Sequence, residues 1–135
     1  MAAKVLDSWA LLAFFEGEPA AQEVEKLLLK AEAGGQKLLL CAVNWGEIYY
    51  SVMRRTDPET AEQVSREIAA MPIEIVPVAS DLALVRQAAR LKASRKLPYA
   101  DAFAAALAML HKAELITGDR DFAQVEHDVK VTWLQ

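Results

Sequence analysis

Five short apolar runs, each followed or preceded by a longer stretch of helical periodicity, constrain this chain most. The runs cover residues 2–6, 37–41, 73–77, 114–117 and 130–134. Each is too short for a helix and is bounded by turn or cap residues, so each is read as a strand. Between them, apolar residues recur at helical spacing: Val24, Leu27 and Leu28, then Ile48, Tyr49 and Val52. Helices are expected over residues 9–15, 20–33, 43–55 and 99–112, with a short one at 121–125. A fourth long helix starts at Thr56-Asp57-Pro58-Glu59, with a cap and then Pro in its first turn, and runs to about residue 70. A fifth is capped by Ser80-Asp81, reaches about residue 94 and is stopped by Leu97-Pro98. Gly17-Glu-Pro19 and Gly34-Gly35 punctuate the first half. Strands that alternate with helices imply an α/β sandwich around a mostly parallel sheet. The alanine run over residues 102–108 fits a helix lying close to that sheet. No repeat or linker interrupts the 135 residues, so a single domain over residues 1–135 is expected.

Composition narrows the class. A hydrophobic fraction of 54% with 25% charged residues describes a chain that can bury a core rather than a disordered one. The net charge of −4 rules out attraction to nucleic acid by the molecule as a whole, so any such binding needs a local patch. Residues 81–96 supply one, because Arg86, Arg90, Lys92, Arg95 and Lys96 stand against Asp81 alone. Cys41 is the single cysteine and sits in an apolar run, which excludes an intrachain disulfide and reads as an inert thiol. His111 and His127 share no metal-ligand spacing. The apolar stretch from Val5 is broken by Asp7 and Glu16, which does not suit a signal peptide. No window is apolar for long enough to span a membrane. The expectation is a cytoplasmic protein.

Four acids stand where such a fold builds its sites. In open α/β sheets, sites form beyond the carboxyl ends of the strands. Asp7 follows the first strand, and Asp119 with Asp121 follows the fourth. Asp101 opens the alanine-rich helix, and Glu47 lies one turn into the helix after the second strand. Each has an ordinary explanation. Asp7 before Ser8-Trp9 suits a helix N-cap, Asp101 complements a helix dipole, Asp119 suits an Asx-turn, and Glu47 shares a polar stripe with Asn44 and Ser51. None of these explains why all four fall at one end of the sheet. Converging carboxylates repel one another unless a cation lies between them. Oxygen ligands without His or Cys suit Mg2+ or Mn2+, and such ions serve phosphoryl chemistry. Ser8 and Thr117 would then orient the carboxylates.

The segments "VLDSWALLAFF", "NWGEIYY", "LPYADAFAAALAM" and "LITGDRDF" resemble, in this order, those of the PIN-domain ribonucleases, in particular the VapC-like toxins of toxin–antitoxin pairs. The resemblance covers essentially the whole chain and implies a PIN-like three-layer α/β/α sandwich. It places the family's catalytic quartet on Asp7, Glu47, Asp101 and Asp119, with metal held by Asp7, Asp101, Asp119 and, as an accessory ligand or else a partner of Arg120, Asp121. Ser8 and Thr117 match the small hydroxyl positions that support the site. The implied activity is Mg2+- or Mn2+-dependent hydrolysis of an RNA phosphodiester that leaves a 5′-phosphate and a 3′-hydroxyl. The implied partners are a second copy of the chain and a small antitoxin protein that often sends an arginine or an acidic segment into the site. Trp9 departs from the pattern, because a small or hydroxyl residue is frequent there. It either narrows the mouth of the site or packs against the core.

RNA needs positive charge and stacking surface. Arg54, Arg55, Arg95 and Lys96 flank the elements that carry Glu47 and Asp101, and Tyr49, Tyr50 and Tyr99 offer rings. The competing readings are helix-dipole neutralisation for the arginines and core or interface packing for the tyrosines. Three rival functions compete with this reading. A haloacid-dehalogenase-type phosphatase needs an Asp where Trp9 stands. A receiver domain needs an Asp at the end of the third strand, where Pro77-Val-Ala-Ser80 runs instead. A non-catalytic binding protein of the same fold has no such conflict with the sequence.

Overall fold

The computed structural model describes residues 3–135. Five strands form one sheet: β1 (Lys4–Leu6), β2 (Leu38–Cys41), β3 (Ile73–Val76), β4 (Glu114–Thr117) and β5 (Val131–Trp133). Their order is β3-β2-β1-β4-β5, and each adjacent pair is parallel. Six helices connect them: α1 (Ser8–Phe15), α2 (Ala21–Gly34), α3 (Ala42–Arg55), α4 (Pro58–Ala70), α5 (Ala83–Ser94) and α6 (Tyr99–His111). Of the first expected strand, Ala2 lies outside the described residues, and pairing begins at Lys4.

β2 is apolar at every position, and β1 and β4 carry the apolar pairs Val5-Leu6 and Leu115-Ile116, because both faces of the sheet are covered. Val5, Leu39, Cys41 and Leu115 point into a core shared with α5 and α6. Their neighbours Leu6, Leu38, Leu40 and Ile116 point the other way, into a core shared with α1, α2, α3 and α4. One residue of register shift would exchange these two sets. The result is a three-layer α/β/α sandwich with a wholly parallel sheet among the described residues. Cys41 is fully buried, and burial pushes its thiol pKa up, as suits an inert side chain.

Some helix ends follow local chemistry and others do not. Asp57 caps α4 by accepting from the Thr60 N–H at 2.7 Å, ahead of Pro58, and Gly35 ends α2 at φ +70°. The cap expected at Ser80-Asp81 is displaced. Leu82 precedes α5 at φ +65°, and Asp81 accepts from the Ala83 N–H instead. The short helix after β4 is a 3-10 turn over Arg120–Val125, entered through Asp119.

The strand order carries the functional consequence. From β1 the chain adds β2 and then β3 on one side, and later β4 and β5 on the other. The switch point therefore lies between β1 and β4, where open α/β sheets place their binding crevice. A receiver-type order would run 2-1-3-4-5.

Candidate active site

The two strands at the switch point end in Asp7 and Thr117, and their side chains meet. The Thr117 hydroxyl donates to Asp7 Oδ2 across 110 positions of sequence. The same Thr117 oxygen accepts the Asp119 N–H at 3.0 Å. One hydroxyl thus fixes both the acid after β1 and the loop after β4. Asp7 Oδ1 accepts the Ala10 N–H at 2.9 Å, so Asp7 is also the N-cap of α1. The capping and site explanations for this residue hold together.

Asp101 stands in the first turn of α6 and is 7% exposed. Its Oδ2 is buried without a hydrogen-bond partner. Asp119 turns its Oδ1 to the Asp121 N–H at 3.0 Å, which brings Asp121 round toward the same space. Asp101, Asp119 and Asp121 each offer a carboxylate oxygen, and these atoms lie within 4.8 Å of one another. Asp7 and Glu47 stand outside this tight group. Glu47 is held at its Oε1 by the Ser8 hydroxyl at 2.7 Å and by Asn44 Nδ2 at 3.4 Å.

The electrostatics follow from this crowding. Burial, opposed by the bonds from Thr117 and Ala10 and reinforced by Asp119 and Glu47, pushes Asp7 up to about 7. Burial, then the charges of Asp119, Asp7, Glu47 and Asp121, push Asp101 up to about 8. Acids held this far above their ordinary range mark an arrangement that lacks positive charge. A divalent cation fits the residues present: three carboxylates with oxygens within 4.8 Å of one another, a buried oxygen on one of them, Asp101, with no hydrogen-bond partner, and no nitrogen or sulfur donor in the group.

Trp9 packs. Its indole lies on Gly118, between Thr117 and Asp119, and against the α1–α4 core. A Cβ at Gly118 would stand 2.2 Å from Trp9 Cη2, so only glycine fits under the ring. Arg120 stacks on Trp133 at 4.6 Å, and the described residues show no ion pair between it and Asp121. The nucleic-acid candidates fare unequally. Arg95 is held by both oxygens of Asp128 at 3.1 and 3.0 Å, and Arg55 pairs with Glu16. Arg54 lies over the Tyr50 ring, and Tyr49 bonds Glu62 and stacks on Trp45. Lys96 is exposed, and Tyr99 is 46% exposed with its ring edge on Phe103.

Sequence reasoning placed Asn44 only on a wet stripe beside Glu47. It is fully buried, and its Nδ2 donates to the Ala100 carbonyl at 3.0 Å, next to Asp101. The usable signal was the spacing Asn44-x-x-Glu47 one turn from a strand end, which sets both side chains on the face that meets α6.

Fold and site together define an α/β/α domain whose acids gather at the switch point of a parallel sheet. The profile of the PIN domain family matches residues 4–128, and the chain belongs to that family. No curated protein sequence matches it. Among solved structures, it is similar to a toxin–antitoxin complex from Klebsiella pneumoniae, with 23% identity over 96% of both chains and a TM-score of 0.69. It is similar to VapBC2 from Rickettsia felis bound to a promoter DNA fragment, with 15% identity over 98% of this chain and 99% of that one and a TM-score of 0.70. It is also similar to VapC20 of Mycobacterium tuberculosis, described as a sarcin–ricin loop cleaving toxin, with 15% identity over 84% and 87% of the chains and a TM-score of 0.62. At these identities the likeness is one of fold. No helix among the described residues is long and apolar enough to cross a membrane.

Proposed function

We propose that this chain is a divalent-metal-dependent endoribonuclease, the toxin of a toxin–antitoxin pair. The observation that carries the reading is the group of Asp101, Asp119 and Asp121 with ligand oxygens within 4.8 Å of one another at the switch point. Its fold neighbours, among them toxin–antitoxin complexes and one RNA-loop-cleaving toxin, support the same reading. Asp101, Asp119 and Asp121, with Asp7 beside them, would hold Mg2+ or Mn2+, which would supply charge neutralisation and a stronger water nucleophile.

The chain's own groups do the positioning. Thr117 fixes Asp7 and the Asp119 loop, and Ser8 fixes Glu47. Both hydrogen bonds to Glu47 fall on Oε1, which leaves Oε2 to accept a proton from the attacking water. The water oxygen bonds to phosphorus, the bond from phosphorus to the 3′ oxygen breaks, and that oxygen takes a proton from solvent water and leaves as a 3′-hydroxyl beside a 5′-phosphate. Lys96 and Arg54 contact the RNA backbone, and Tyr99, two residues from Asp101, stacks on a base. Arg95 contributes only after releasing Asp128. The protein acts in the cytoplasm as a homodimer restrained by its antitoxin.

The test is cleavage of a mixed RNA pool by purified chain freed of any partner, with Mg2+ or Mn2+, beside EDTA and Asp101→Asn controls. Discrete fragments that require both the metal and Asp101 are expected. A folded, metal-loaded protein that leaves every RNA intact overturns the catalytic reading and favours the non-catalytic one.

A further inference from the structure

We infer that Asn44 is a positioning residue that sets the distance between the two halves of the acidic site. The inference rests on the metal-site reading above and goes beyond it, because Asn44 is not one of the acids and touches neither metal nor substrate in that reading.

The four acids arrive on separate elements. Thr117 ties Asp7 to the loop that carries Asp119, so these acids are braced as one unit across β1 and β4. Glu47 on α3 and Asp101 on α6 have no such strand pairing between their elements. Asn44 supplies the missing tie. Its Nδ2 has two hydrogens, one within reach of the Ala100 carbonyl at 3.0 Å and one toward Glu47 Oε1 at 3.4 Å. The first bond joins α3 to the residue just before Asp101, across 56 positions of sequence. The second reaches the Glu47 carboxylate from one turn earlier on α3. Ser8 completes the chain by bonding the same Oε1 from the start of α1. Asn44 thereby links the Asp101 element through Glu47 and Ser8 to the residue beside Asp7.

A space-filling role does not explain this residue. Asn44 is fully exposed to none of the solvent, and its Oδ1 is buried with no partner. An apolar side chain of the same volume would remove that unsatisfied acceptor, but both donors with it. Retaining the amide makes sense where its two N–H groups are needed.

The experiment compares wild type, Asn44→Leu, Asn44→Asp and Asp101→Asn for Mn2+ binding by electron paramagnetic resonance, and for thermal unfolding in EDTA. Asn44→Leu keeps the volume and loses the donors. It is expected to remain folded in EDTA yet bind Mn2+ at least tenfold more weakly. Asn44→Asp keeps the shape and reverses the donors, and is expected to weaken Mn2+ binding at least as much. Wild-type Mn2+ affinity in a folded Asn44→Leu, together with a loss in Asp101→Asn, overturns the positioning role alone. Wild-type affinity in Asp101→Asn overturns the metal site itself. If Asn44→Leu fails to fold, Asn44→Asp with unchanged affinity overturns the positioning role.

Discussion

At the residue scale, Gly118 and Trp9 decide how firmly the Asp119 loop is held. The ring leaves no room for a methyl group, with Trp9 carbons 2.2 to 2.7 Å from where a Cβ would stand. Gly118→Ala must displace either the indole or the loop. Overpacking of this kind costs about 1–3 kcal/mol. The expected outcome is a lower urea midpoint, a shifted Trp emission and weaker Mn2+ binding, all read from one preparation. An unchanged emission spectrum would mean that the ring does not sit on the loop in solution. The same pair shows why residue-level reading of the sequence stops short. Asp7, Asp101 and Asp119 were legible because each follows a strand or opens a helix, and position alone places them. Asn44 was not, because a bond to the Ala100 carbonyl depends on how two helices pack, and no local pattern encodes that.

At the element scale, α6 is the piece on which most depends. Asp101 to Ala108 are all buried, so this helix touches neighbours on every side instead of along one stripe. Alanine lets it lie against β1, β2 and β4 while α5 and α3 press from outside. Ala105→Leu is expected to destabilise the fold by about 1–3 kcal/mol, measured by urea unfolding, and to tilt Asp101 out of its group. A stability unchanged by the added side chain would show slack around α6. Strands were legible as elements because their apolar runs are short and closed by turn residues. The start of α5 was not. Leu82 adopts a left-handed conformation that a sequence rule assigns to Gly or Asn, and the expected Ser80-Asp81 cap gave way to it.

At the scale of the whole molecule, the acids couple stability to pH and to metal. Asp7 and Asp101 are held at about 7 and about 8 in the fold, against 3.8 ordinarily. Between those limits the folded state keeps protons that the unfolded chain has released. The contribution of these two groups is therefore complete below about pH 4 and is lost as pH rises through 7 to 8. Glu114 and Asp57 have lowered values and are ionised in both states above pH 5, so they do not oppose this trend in that window. In EDTA, the urea midpoint of wild type is expected to fall from pH 5 to pH 8, and less so for Asp101→Asn. Mg2+ added at pH 8 should restore the loss. A wild-type profile that parallels that of Asp101→Asn would contradict the assigned repulsion.

The bond from Thr117 to Asp7 also bears on timing. The two ends of this contact are synthesised 110 residues apart, and Asp119 and Asp121 of the tight group follow within four residues of Thr117. Until β4 has left the ribosome and inserted beside β1, the growing polypeptide holds Asp7, Glu47 and Asp101 without the two acids of the loop after β4. A nascent chain or a product truncated before β4 is therefore without its loop acids, and the acidic centre is complete only once residue 121 has been made.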